Sequence, residues 1–107
     1  MYKPKSHPIY TGLVELYLRA TIRNWKKYIP KEWYEFATMW LELLSDEDRK
    51  FLEFVFGKDF YYSADGVACY QSETESHFEK RERLYRLEQK FAIDGGLIIE
   101  KENKENE

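Results

Sequence analysis

Apolar residues recur along this chain at helical rather than strand spacing. The first run covers about Gly12 to Tyr28. Val14, Leu18, Ile22, Trp25 and Ile29 form one stripe there, with Arg19, Arg23, Lys26 and Lys27 on the opposite side. Pro30 stops that helix and suits the start of the next. The second helix, about Lys31 to Leu44, carries the clearest stripe: Trp33, Phe36, Ala37, Trp40, Leu41 and Leu44. Its aromatics are expected in the core. Ser45 is a natural N-cap for a third helix, and Asp46, Glu47 and Asp48 suit the positive end of its dipole. Phe51, Leu52, Val55 and Phe56 make its buried face, and Gly57 is placed as a stop.

The C-terminal half is more broken. Phe60-Tyr61-Tyr62 reads as a loop that packs its rings against the helices. Ser63 caps a brief fourth helix, about Ala64 to Tyr70, weakened by Gly66. Ser72 with Glu75 reads as a capping box opening a fifth helix that runs to about Ala92. Phe78, Leu84, Leu87 and Phe91 are expected inward, and Lys80, Arg81, Arg83, Arg86 and Lys90 outward. Gly95-Gly96 ends the helix. The expectation is an all-α, compact bundle of about five helices. Residues 1–11, with Pro4 and Pro8, read as an N-terminal arm. Residues 12–93 read as a single helical domain, and 94–107 as an acidic, disordered tail.

Composition adds bounds. A chain of 107 residues fits one domain with a real core, and 43% hydrophobic content argues against disorder over most of it. No apolar run approaches the length of a membrane span. Met1-Tyr2-Lys3-Pro4-Lys5 is not followed by an apolar block, so no signal peptide is expected. The lone Cys69 excludes an internal disulfide and suits a reducing cytoplasm.

The net charge of -3 is unevenly placed. Residues 1–44 hold seven Lys or Arg against four Glu, and 92–107 hold two Lys against five acids. The fifth helix is balanced, because Glu73, Glu75, Glu79, Glu82 and Glu88 oppose its five cations. Glu79 with Arg83 and Glu82 with Arg86 have the spacing of helix-stabilising ion pairs.

Leu44-Ser45-Asp46-Glu47-Asp48-Arg49-Lys50-Phe51-Leu52-Glu53-Phe54-Val55-Phe56 resembles the opening helix of the region-four helix-turn-helix of sigma factors. The same layout occurs in small phage transcription regulators of the ArpU and RinA type. Val67-Ala68 resembles the apolar-Ala pair of the scaffold helix, and Thr74 the hydroxyl cap of the recognition helix. The resemblance covers residues 45–91, about half the chain. It departs from the pattern at Ser72 (often Gly), at Gln71 and Glu73 (usually apolar), and at Arg81 (usually inward and apolar).

The resemblance implies a DNA-binding transcriptional regulator of phage or prophage origin. The helix after Ser72 would enter the major groove of double-stranded DNA. Thr74, His77, Lys80 and Arg81 would then approach base edges. Arg83 and the first helix's Arg19, Arg23, Lys26 and Lys27 would hold phosphates. RNA polymerase or a second copy of the chain are the further partners it implies. The alternative is a helical protein-interaction adaptor that binds no DNA. It rests on nineteen aromatics, with Tyr10, Tyr17, Tyr34, Tyr61 and Tyr62 as interface candidates.

Enzymatic and metal chemistry find little support. Only His7 and His77 are present. Cys69 reads as a small buried residue, and no Cys/His set for zinc or glycine loop for phosphate occurs. No cofactor is expected.

Overall fold

A computed structural model describes residues 10–98. The arm read at 1–11 lies outside the described residues except for Tyr10 and Thr11, as does the tail beyond Ile98. The described chain is all-helical, with five α-helices: α1 (Thr11–Ile22), α2 (Lys31–Leu43), α3 (Asp46–Gly57), α4 (Ser63–Cys69) and α5 (His77–Asp94). A single 3-10 turn, Lys26–Tyr28, joins α1 to α2. α1 packs against α2, α3 and α5, while α4 sits between α3 and α5.

α1 stops earlier than its apolar stripe predicts. Asn24 adopts a left-handed conformation, φ 62. The Asn24 N–H donates to Thr21 O at 3.2 Å and the Trp25 N–H to Ala20 O at 2.7 Å. This pair of bonds satisfies carbonyls left open by the helix end. Asn is among the few side chains that tolerate such a backbone, so the chain turns before Trp25 can continue the stripe. α5 ends in the same way at Gly96, φ 79. There Gly96 N–H donates to Ile93 O and Leu97 N–H to Ala92 O. The bonds turn the chain so that Leu97 and Ile98 fold back against the core.

The core has two connected parts. Val14 and Leu18 of α1 meet Phe51, Leu52, Val55 and Phe56 of α3, all with 0% exposure. The aromatic stripe of α2 closes around Phe91 of α5. Trp33, Phe36 and Trp40 have ring centroids 6.0, 5.2 and 5.0 Å from that of Phe91. Trp40 Nε1 donates to Asp94 Oδ2 at 2.9 Å, and Tyr17 stacks on Trp33 at 4.6 Å. Phe91 and Trp40 are buried and Trp33 and Phe36 half-buried; a fully buried ring contributes on the order of 2–3 kcal/mol of transfer free energy, so this cluster fixes α5's C-terminal half on α2.

α3 and its cap are as the sequence reads: the Asp48 N–H donates to Ser45 Oγ, and the helix ends at Gly57. α4 begins one residue earlier than expected, because Ser63 does not cap it. The Ser63 hydroxyl instead donates to Glu15 Oε2 at 3.0 Å. Gly66 does not simply weaken α4. It lets the helix approach α3 closely: a Cβ there would lie 3.0 Å from both Val55 Cα and Val55 O.

A prediction follows from that contact. Alanine is intrinsically the better helix former by about 1 kcal/mol, yet Gly66→Ala should lower stability in urea denaturation by about 1–3 kcal/mol, the usual cost of overpacking. A stabilised variant would mean that α3 and α4 are not in backbone contact.

Candidate nucleic-acid interface

The start of α5 decides which of its side chains are available. Ser72 does not cap it. Ser72 Oγ accepts from the N–H groups of Thr74 (3.3 Å) and Glu75 (2.9 Å), closing a separate turn. The helix opens four residues later in a complete capping box. The Glu79 N–H donates to Ser76 Oγ at 3.1 Å and the Ser76 N–H to Glu79 Oε1 at 2.9 Å. The inward stripe is then Lys80, Leu84, Leu87, Glu88, Phe91 and Ala92. Phe78, expected inward, is 67% exposed, and Lys80, expected outward, is only 8% exposed.

Four of the nine expected DNA contacts are engaged inside the fold. Lys80 Nζ donates to Tyr70 O at 2.7 Å, satisfying a carbonyl at the end of α4. Arg83 is not outward either. Its guanidinium grips Glu75 through Nε (3.2 Å) and NH2 (2.8 Å), faces Asp48 at 3.8 Å and lies over the Phe51 ring at 4.7 Å. The expected Glu79–Arg83 helix pair is thereby replaced: Glu79 caps α5 while Arg83 ties it to α3. Arg23 donates through Nε to Phe56 O at 2.8 Å and through NH2 to Lys58 O, placing its charge on the negative end of α3. Arg19 is half-buried, with its guanidinium carbon 5.1 Å from the Phe56 ring centroid. Burial pushes its pKa down, against the attraction of Glu15.

The other five face solvent. His77 and Arg81 are exposed in the first turns of α5, and Lys26 and Lys27 on the 3-10 turn; Thr74 is exposed in the turn before α5, and Ser76 rather than Thr74 is the hydroxyl cap of the helix. Arg81 donates to the Tyr85 hydroxyl at 2.9 Å, and this bond raises its pKa. Lys26 Nζ stands 5.8 Å from the Tyr34 ring centroid.

Three features escaped the sequence reading. Cys69 is exposed rather than buried. A cleft of about 460 Å³ opens between α1, α4 and α5, with Tyr61, Tyr62 and Tyr85 on its walls, Arg81 among its lining residues, and Glu15 and Ser63 also lining it. Behind Glu15, Glu88 is 1% exposed, and neither of its carboxyl oxygens meets a protein donor. Burial first, then the hydrogen bond and the like charge of Glu15, push the Glu88 pKa up to about 11. Two ionised carboxylates side by side repel each other, so this setting favours the protonated form of Glu88.

Among the described residues no group of three or more His, Cys, Asp or Glu is placed to hold a metal ion. No described helix is long and apolar enough to cross a membrane. Comparison with protein-family models, curated proteins and solved structures finds no match to this chain.

The Arg83 cluster predicts a contrast between two arginines of one helix. Arg83→Met strands the Glu75 and Asp48 carboxylates and should cost about 1–3 kcal/mol, whereas Arg86→Met on the exposed face should stay within about 0.5 kcal/mol. Chemical denaturation of both variants checks this, and equal effects would contradict the tie between α3 and α5.

Proposed function

We propose that this protein binds duplex DNA through the first turns of α5, with α3, α4 and α5 acting as a helix-turn-helix. One observation carries the reading. Thr74, His77 and Arg81 stand clear of the fold, while Lys80 and Arg83, immediately behind them, brace α5 against α4 and α3. A rigidly held helix with an exposed N-terminal end suits insertion into a major groove. Arg81 is the base reader in this account, since its fork matches the two acceptors of guanine. Phe78 beside it offers an apolar surface suited to a thymine methyl. Lys26 and Lys27 are the phosphate contacts. The resemblance of residues 45–91 to small phage regulators supports a role in transcription.

The exposed acids temper this binding. Glu73, Glu79 and Glu82 are exposed in the same segment as Arg81, and Glu82 acts on its charge. Few net phosphate contacts are therefore available, and the expected dependence of log affinity on log salt is shallow, with a slope of about −2 to −4. Fluorescence anisotropy with a labelled mixed-sequence duplex at low salt tests the reading. Binding should be salt-sensitive, and Arg81→Glu should weaken it at least tenfold, roughly the loss of one good contact, without changing circular dichroism. Wild-type protein that shows no salt-sensitive duplex binding would overturn it.

A second reading, a protein-interaction adaptor, is favoured by one surface. Of its five expected tyrosines, Tyr17 is buried against Trp33, and Tyr10 and Tyr34 are half-buried. Tyr61 and Tyr62 remain, 83% and 62% exposed at the cleft. Rigid exposed aromatics are common interface anchors. A strict monomer across a sedimentation concentration series would remove self-association from this reading.

A further inference from the structure

The acid at the centre of α5's docked face has a consequence independent of DNA. Glu88 projects from α5 into the contact with α1. The titratable groups that face it among the described residues are Glu15 and Arg19 of α1 and Tyr10 just before α1. From α4, Ser63 reaches the group through its bond to Glu15. None of these gives Glu88 a donor, since both its oxygens lack a hydrogen-bond partner among ordinary donors. The Arg19 guanidinium favours an ionised Glu88, but it lies over Phe56 and answers Glu15 as well. A buried carboxylate without a donor takes up a proton rather than stay charged. As a carboxylic acid, Glu88 gains what it lacks, a bond to the Glu15 carboxylate.

We propose that Glu15 and Glu88 form a shared-proton contact between α1 and α5, so that docking of α5 takes up one proton and rising pH loosens the fold. In the unfolded chain Glu88 returns to water and ionises as an ordinary carboxyl. The folded state thus binds the extra proton. Stability is fully present below the ordinary carboxyl range and declines as pH rises through neutrality towards the folded value. While the folded chain holds one proton that the unfolded chain has lost, linkage raises the unfolding constant about tenfold per pH unit.

Urea denaturation of the full chain from about pH 5 to pH 9, below tyrosine ionisation, tests this. Wild-type protein is compared with Glu88→Gln, which keeps the shape and hydrogen-bonding capacity without titrating. The ratio of wild-type to variant unfolding constants should rise about tenfold per pH unit, with the variant the more stable above neutral pH. Should the amide variant not fold, Glu88→Met keeps the side-chain length for the same comparison. Glu15→Gln should move the carbon-13 NMR titration of the Glu88 carboxyl to lower pH, because it removes the like charge beside Glu88. Parallel pH profiles for wild type and the Glu88 variants would overturn the proposal. A Glu88 titration that stays in place in Glu15→Gln would overturn the sharing.

Discussion

The structure depends on how α5 docks while carrying three ionisable side chains on or beside its inward face. Burying a charge without a partner is more costly than almost any single packing defect. Each of the three is answered differently. Lys80 places its ammonium on the carbonyl of Tyr70 at the end of α4. Arg83 is held by Glu75 and faces Asp48. Glu88 finds no donor for either oxygen, and its burial beside Glu15 favours the protonated acid. Together these contacts set the rotation of α5 about its axis. They therefore decide that Phe78 and Arg81 face water and that Lys80 does not.

Aromatic packing fixes the other end of the same helix. Phe91 sits among Trp33, Phe36 and Trp40, and Gly95 leaves the space the Trp33 ring occupies. Polar contacts thus hold α5 to α3 and α4 near its start, and rings hold it to α2 near its finish. α1 lies alongside, joined by the carboxyl pair. An element braced in this way is suited to present its first turns rigidly.

Much of this was legible in the residues. The stripes of α2 and α3 follow a helical period without interruption, and Ser45 and Gly57 mark the ends of α3 as their chemistry requires. The end of α1 was hidden because Trp25 continues the apolar period while Asn24 supplies the turn that breaks it. The start of α5 was ambiguous for a local reason. Ser72-Glu75 and Ser76-Glu79 have the same capping spacing, and only tertiary contacts choose between them: Glu75 is taken by Arg83, which leaves the second pair to form the box. The faces of α5 were recoverable from phase. Leu84, Leu87 and Phe91 extrapolate back to position 80 and include position 88, but a lysine and a glutamate there look like surface charge. Phe78 looked inward by hydrophobicity alone. The candidate site was accordingly half visible, with Thr74, His77, Arg81, Lys26 and Lys27 at the surface and Arg19, Arg23, Lys80 and Arg83 drawn into the fold, because no local pattern tells an outward cation from one that packs or caps inside.

The central claim is that α5 docks with its inward charges neutralised from within, and Glu88 is its most exposed point of test. Carbon-13 NMR of the Glu88 side-chain carboxyl, assigned by comparison with the Glu88→Gln variant, reports its protonation in the native chain directly. The account predicts the shift of a protonated acid at neutral pH, with no titration until strongly alkaline conditions. An ionised carboxylate at neutral pH, titrating in the ordinary acidic range, would contradict it.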